Sequence, residues 1–438
     1  MEKVGLSRIP GPGRELEDFV AGMFQAAGYF VERNIHERAS SDILELDAVA
    51  TSYDGGAPMA VLIEAKGGRW GFPDVFKVVG WMRYLDIARG GFFVSDGVQK
   101  EHLSVVRQRI APLGVSVVDF ADFKDPSGLF QQAGFGTIRD PELTRLWRRS
   151  FGLERCLLDR LRATRRSAPT LRGPLEVLGY HDLVNDHVFF IRDPSERLRR
   201  LYDAYRAHPK LTLALADELE GGTFGVAPRP KCASLAEAIY QGKHPELQAS
   251  LYVEHRARVS ILKTAVDILC REQDAPGEIR LGELPATFRD GLKRLRARAS
   301  FRRYALFWQV FLWGFGGFYL ADRAEEELGS LSEQTGVPLA EIPAALRAFD
   351  DLFPLGDGAW MAPVRGTRIV VAKMVPMPFR GIGAEQRLRR LGFRDYRELG
   401  YRDATEATLA RWHDSAADLL GGRRATRALS SACPSSCP

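Results

Sequence analysis

The stretch that most restricts this chain is "LELDAVATSYDGGAPMAVLIEAK", residues 44–66. Two apolar, β-rich runs flank Asp54-Gly55-Gly56-Ala57, and a Gly-Gly pair suits a two-residue hairpin turn because both residues adopt positive φ at no steric cost. With Asp54 paired to Ala57, the register sets Asp47 directly opposite Glu64. Side chains alternate along a strand, so Glu45 and Asp47 share one face of the first run and Glu64 and Lys66 share one face of the second. Buried charges are costly unless they are paired or bound to something. The hairpin therefore holds a structural ion pair, or it delivers carboxylates and an ammonium group to a site.

The surrounding patterns build a domain around this hairpin. Leu16, Phe19, Val20, Met23 and Phe24 recur at helical spacing between Arg14 and Ala27, and Gly28 stops that helix. "YFVERNI" reads as an edge strand, and "GGFFVSDG" and "GVSVVDF" as further strands, with helices at Pro73 to Ala88 and Gln99 to Ala111. The predicted order is helix, three strands, helix, strand, helix, strand, which is an α/β domain over residues 1–125. After Asp125 the pattern becomes mostly helical. It divides into an Arg-rich helical and mixed region (126–222), a helical domain that opens on the linker "GGTFGVAPRPK" (223–303), a segment of different composition (304–376), and a helical C-terminal region ending in a low-complexity tail (377–438).

Charge is uneven along the chain. Residues 1–125 hold 14 Lys and Arg against 18 Asp and Glu, net −4, whereas the remainder holds 47 against 38, net +9. A polyanionic partner would draw most of its attraction from the later part. The five cysteines form no zinc-type pair, and their odd number argues against a disulfide framework, so a reducing, cytoplasmic setting is expected. The first residues, "MEKVGLSRIPGPG", lack the apolar core of a signal peptide.

Asp47, Glu64 and Lys66 suit one chemistry. Two carboxylates hold a hard divalent cation such as Mg²⁺ or Mn²⁺, which keeps waters and accepts phosphate oxygens. Such an ion polarises a phosphodiester and lowers the pKa of a bound water. A lysine beside it orients that water and offsets developing negative charge. Gly67-Gly68 lets another backbone approach without side chains in the way.

These residues carry a resemblance. "GRELEDFVAGMFQAAGYFVE" with Gly13 and Glu17, "LELDAVA" with Asp47, "LIEAKGG" with Glu64 and Lys66, and the later strand "GGFFVSD" together resemble the PD-(D/E)xK nuclease superfamily, in particular its Mrr-like and archaeal Holliday-junction-resolvase-like branch. The resemblance covers residues 10 to 120. It implies a restriction-endonuclease-like core, with a mixed central sheet flanked by helices, and a metal-dependent DNA endonuclease activity. Asp47 and Glu64 would bind Mg²⁺ or Mn²⁺, Lys66 would assist the water, and Glu17 would complete the catalytic and metal set. Defence against foreign DNA is an expectation by analogy. The Gln-x-x-x-Tyr element of RecB-like members is absent; "KVVGWMRYL" offers Lys77 and Arg83 instead. The alternative is a catalytically silent DNA-binding or assembly protein that keeps the fold, with Glu64 and Lys66 as a same-face ion pair.

Two basic runs are candidates for phosphate contact: Arg145 to Arg166, with Arg148, Arg149, Arg162, Arg165 and Arg166, and "RDGLKRLRARASFRR", with Lys293, Arg294, Arg296 and Arg298. "LSEQTGVPLAEIPAALRAF" has helix-turn-helix spacing at Ser332, Gly336 and Ile342, followed by a wing-like "AWMAPVRGTRIVVAK", so a winged-helix element is expected within 304–376. Acidic residues on the second helix argue against base reading by it. "YALFWQVFLWGFGGFYLA", Tyr304 to Ala321, has the minimum length for a membrane span, but its Gln309 and three glycines favour a buried core helix or helix–strand pair. The expected partner is DNA, with a homo-oligomer or a partner protein also compatible, and no membrane.

Overall fold

The apolar stripe predicted for the first helix is fully buried: Leu16, Phe19, Val20, Met23 and Phe24 line the inner face of α1, Arg14–Ala26. In the computed structural model, described for residues 10–37, 44–55, 57–95, 100–120, 123–208, 210–222, 244–274, 284–320, 324–352 and 369–371, α1 packs on a five-stranded mixed sheet. The strands are β1 (Phe30–Glu37), β2 (Leu44–Ser52), β3 (Met59–Lys66), β4 (Arg89–Val94) and β5 (Val115–Asp119), in spatial order β1-β2-β3-β4-β5. The first three run antiparallel, and β3, β4 and β5 run parallel. The parallel connections pass through α2 (Phe72–Leu85) and α3 (Lys100–Ile110), as parallel pairing requires of a crossover. The predicted order of helices and strands is the observed one.

The sheet has a core on each face. On one side Phe24 sits in an aromatic cluster with Tyr29, Phe93, Phe130 and Phe135, ring centroids 4.8 to 5.7 Å away. On the other, Leu62, Phe92 and Val94 pack with Val75, Val78 and Met82 of α2 and Val106 and Ile110 of α3. Phe130 and Phe135 lie beyond the expected boundary at residue 125. They belong to the segment opened by α4, Pro126–Gln132, which the aromatic cluster draws under the sheet.

Residues 7–151 and 185–192 form one compact unit; 152–184 and the chain from 193 onward form a second. The cut falls inside the long helix α5, Pro141–Ser167. The return of 185–192 to the first unit has a physical reason. Strand β1 is a sheet edge, and its backbone groups are met by side chains: Asn185 Nδ2 donates to Asn34 O at 2.7 Å, and Asp186 Oδ1 accepts from the His36 N–H at 3.1 Å. Phe189 and Phe190 pack against the α2 side of the core. An edge covered this way is closed to pairing with another chain.

The second unit is helical. α6 (Gly173–Asp182), α7 (Pro194–Ala207) and α8 (Leu211–Leu219) pack on α9, Pro245–Asp274. That helix is buried around most of its circumference from Leu247 to Cys270, as expected of a central helix. It is followed by α10 (Ala286–Arg296), α11 (Tyr304–Gln309), β6 (Phe318–Leu320), α12 (Ala324–Thr335), α13 (Ile342–Leu352) and β7 (Ile369–Val371), with β6 and β7 antiparallel. The apolar Tyr304 to Ala321 stretch is core: α11 and the π-type turn after it, Val310–Gly314, are buried, and Trp308 Nε1 donates to Ala345 O at 2.9 Å. Among the described residues no helix is long and apolar enough to cross a membrane. The expected turn is present between α12 and α13, with Gly336 at φ 67° and Ser332 Oγ donating to Val337 O at 2.7 Å. The wing-like segment lies outside the described residues except for β7, as do residues 223–243, which hold most of the expected linker and the start of the helical block after it, and the 377–438 region.

One buried carboxyl makes the second unit sensitive to pH. Glu254 of α9 accepts from Thr212 N–H at 2.8 Å and from its hydroxyl at 3.1 Å through Oε1, while Oε2 has no hydrogen-bond partner. Burial pushes Glu254 up to about 7 from an ordinary 4.5, against the opposing Arg258 charge and the Thr212 bonds. A folded-state pKa above the unfolded one gives stability that is complete below 4.5 and lost as pH rises through about 7. The Tm should therefore fall between pH 5 and pH 8. Glu254→Gln should flatten that fall and raise the Tm at pH 8, as read by circular dichroism melts of the full chain.

Candidate active site

Strands β2 and β3 pair from Ser52↔Met59 up to Ala48↔Ile63, the register expected for the hairpin, and then part company. Beyond that point β2 pairs only with β1, and β3 only with β4. Asp47 and Glu64 are the next residues on each side of the split. The gap is bridged by a side chain: Asp47 Oδ2 accepts the Ala65 N–H at 2.7 Å, in place of a ladder carbonyl. The carboxylate thus satisfies a backbone donor that the divergence would otherwise orphan.

Glu64 is buried, at 8% exposure. Its Oε1 lies 3.7 Å from Lys77 Nζ, and its Oε2 is buried with no hydrogen-bond partner. Lys66 is half-exposed and pairs with Asp74 at 2.5 Å. Asp74 also accepts the Gly71 N–H at 2.9 Å, which caps α2. The two charges on β3 are therefore each met by an opposite charge from the first two turns of α2, Glu64 by Lys77 and Lys66 by Asp74.

Burial first, and neighbouring negative charge second, raise the carboxyl pKa values at the split. Asp47 is held well above the usual 3.8, first by burial, then by the charges of Glu64 and Glu17, with the Ala65 N–H opposing and Glu45 adding a little. Glu64 is also raised, by burial first; Lys77 and Lys66 pull it back down and Glu17 pushes it up. Burial alone would raise Asp74, but the Lys66 and Gly71 hydrogen bonds and the Lys66 and Lys77 charges outweigh it and lower it. Glu17 on α1 thus lies within electrostatic reach of both Asp47 and Glu64. Its helix is brought there by a glycine: a side chain at Gly67 would meet Pro12 at 2.7–2.8 Å, so only glycine lets the start of α1 rest on the end of β3. Gly68, by contrast, faces open space. Glu45 points to solvent, 4.0 Å from His36.

Whether these groups suit a divalent cation can be judged from their own chemistry. Two neighbouring carboxylates, half-buried Asp47 and buried Glu64, the latter with an oxygen that has no partner among the described residues, both raised chiefly by loss of solvent, fit such an ion, and Mg²⁺ sites commonly use only one or two carboxylates. The expected three-carboxylate set is not assembled: among the described residues no group of three His, Cys, Asp or Glu side chains could hold a metal ion. Glu17 acts on Asp47 and Glu64 through its charge, at the periphery of the pair.

The phosphate-contact candidates separate by burial. Arg148 is not a surface cation: it is 4% exposed and donates to Glu15 Oε2 at 2.8 Å, because the first turns of α5 pack on α1. The side chain of Arg149 lies outside the described set. Arg162 pairs with Asp159, and Arg165 and Arg166 are exposed in the last turn of α5. In the second run Lys293 pairs with Asp290, Arg296 with Glu272, and Arg294 and Arg298 both with Asp351 of α13. Asp74 and the role of Lys77 were not foreseen. The available signal was "GFPD", a helix start with Pro at its second position and an acid at its third, which puts a carboxylate eight residues after Lys66.

No protein-family model, no curated protein and no solved structure matches the chain.

In the absence of a cation, two raised carboxyls side by side destabilise the first unit as pH rises through their folded-state values, because their stability contribution is complete only below the unfolded ones. Asp47→Asn keeps an acceptor for the Ala65 N–H and removes one of the charges. It should raise stability at pH 8 in EDTA and flatten its fall with pH, because the penalised ionisation of that carboxyl is removed. Denaturant melts of both proteins check this.

Proposed function

We propose that the first unit carries a restriction-endonuclease-like core of the PD-(D/E)xK type and that the protein hydrolyses phosphodiester bonds of DNA with Mg²⁺ or Mn²⁺. The observation that carries this reading is the carboxylate pair Asp47 and Glu64 at the point where β2 and β3 separate, with one buried oxygen unpartnered and Lys66 two residues along the same strand. A bound divalent cation would polarise the scissile phosphodiester and lower the pKa of an attacking water.

The chain's own residues have separable tasks in this reading. Asp47 and Glu64 would hold the ion, Asp47 being oriented by the Ala65 N–H. Lys66 directs its ammonium to the attacking water and to the charge that develops on phosphate, and Asp74 fixes where Nζ starts from. Lys77 keeps Glu64 partly neutralised while the site is empty of phosphate. Glu17 adds negative charge that favours cation entry. Arg162, Arg165, Arg166, Lys293 and Arg296 keep enough exposure to track phosphates in a sequence-blind way, at the expense of their present acidic partners where they have one. The order helix, strand, helix, helix, strand from Tyr304 to Val371 supports a winged-helix element, with α13 unsuited to base reading because Asp351 binds Arg294 and Arg298. A cytoplasmic defence role against foreign DNA follows by analogy alone.

A second reading has its own observation. Glu64 and Lys66 both have resident counter-charges on α2, the arrangement expected of a silent protein that keeps the fold and binds DNA or a partner. Plasmid nicking separates the two. Lys66→Ala should lower the nicking rate about 100-fold or more while leaving gel-shift affinity nearly intact, since affinity is spread over many cations. Asp47→Asn and Glu64→Gln should abolish nicking, and EDTA should mimic them. A folded Lys66→Ala protein that nicks at the wild-type rate refutes the site assignment, and a wild-type protein that never nicks favours the silent reading.

A further inference from the structure

Helix α2 contains a glycine that packing does not require. Gly80 lies in the middle of Phe72–Leu85, where glycine is among the least favourable residues, and a side chain built there would meet nothing within 4 Å. One turn before it stands Phe76 and one turn after it Tyr84, 56% and 48% exposed. At the helical rise the two aromatic positions are about 12 Å apart, with bare backbone between them. Both rings are backed: Phe76 stacks on Phe72 at 6.1 Å, and Tyr84 leans on Phe190 at 6.5 Å. Lys77 and Arg83 are exposed on the same face. The only acid of α2, Asp74, is committed to Lys66 and the Gly71 N–H. Lys77 also borders the carboxylate pair, 3.7 Å from Glu64.

We propose that this face of α2 receives unpaired nucleotides of a DNA substrate beside the bond to be cut, with bases stacking on Phe76 and Tyr84 across the gap left by Gly80 and phosphates meeting Lys77 and Arg83. The proposal rests on the nuclease reading and names the substrate class for it: DNA with a single-stranded segment. Every base has a π face, so two aromatic rings and two cations bind a single strand without regard to sequence, whereas intact duplex hides its base faces. The glycine then has a reason, since any side chain at position 80 would stand in the slot. A second copy of this chain is a poorer occupant. A two-fold contact through this face would bring Lys77 and Arg83 towards their own copies with no free acid on the helix to offset them.

The test uses the full chain in EDTA, so that binding is read without cutting, with fluorescein-labelled oligothymidylate and a blunt duplex as probes. Phe76→Ala with Tyr84→Ala should weaken oligothymidylate binding about tenfold or more and change duplex binding less than about twofold. Gly80→Gln, a better helix former, should raise the Tm and weaken oligothymidylate binding to a similar degree. Wild-type affinity in both variants overturns the proposal, as does a wild-type protein that does not bind oligothymidylate. A wild-type dimer, by light scattering, that the double aromatic variant dissociates without loss of oligothymidylate binding assigns the face to a second copy and also overturns it. Nicking in Mg²⁺ is scored separately. Slot-dependent binding without nicking keeps the α2 face and removes the nuclease reading; nicking with slot-independent binding does the reverse.

Discussion

The register of β2 against β3 is the constraint on which the first unit depends. Side chains alternate along both strands, so a slip of one residue in either strand would send its carboxylate, Asp47 or Glu64, to the other face and take Val49 or Leu62 out of the core on the α2 side. The register is held by apolar residues on both faces of the hairpin, Ala48 to Ala50 against Val61 to Ile63, all buried. The polar pair then falls at the one place where the ladder has ended. There the strands have separated, and a carboxylate can serve as a backbone acceptor while its charge stays within reach of another acid. Carboxylates at the central paired positions, 48–50 and 61–63, would be buried with no such gap.

Much of this was legible in the sequence because it depends on local periodicity. The alternation of β2 and β3 and the stripe of α1 each declare themselves within a dozen residues. Gly67 was legible as a close approach, although the approaching partner, Pro12, was not. What could not be read depends on distant partners. Arg148 looks like a surface cation in an Arg-rich run, yet its neighbour is Glu15, 133 residues earlier. The covering of the β1 edge by Asn185 and Asp186 spans about 150 residues. The boundary at 125 was set by a change of composition, whereas the unit was closed by two phenylalanines just beyond it.

The same point limits what net charge can say about DNA affinity. The later part of the chain has a formal excess of nine positive charges, but several of the cations behind that number are neutralised within the fold. Arg294 and Arg298 share the buried Asp351, whereas Arg296 with Glu272 and Lys293 with Asp290 form exposed pairs. Exposed pairs of this kind contribute little to stability and dissociate at small cost when a phosphate competes. They are a reserve of charge, whereas Arg148, buried against Glu15, is not.

The crossed pairing of Glu64 with Lys77 and Lys66 with Asp74 explains how a site rich in negative charge can persist without a cation. Among the described residues Asp47 has no such counter-charge, and burial and the charges of Glu64 and Glu17 hold it well above its ordinary range. Adding a divalent cation would relieve Asp47 and occupy the unpartnered oxygen of Glu64, and Lys77 would then lose its reason to stay at 3.7 Å. Its Nζ also lies 4.0 Å from the Trp81 ring centroid, so an aromatic surface stays beside the ammonium if it leaves Glu64. On the outer side of α2 lie Phe76, Gly80 and Tyr84. One lysine therefore links the carboxylate pair to the outer face of α2: where it stands it balances Glu64, and turned outward it would add a cation to the face on which an unpaired strand would lie.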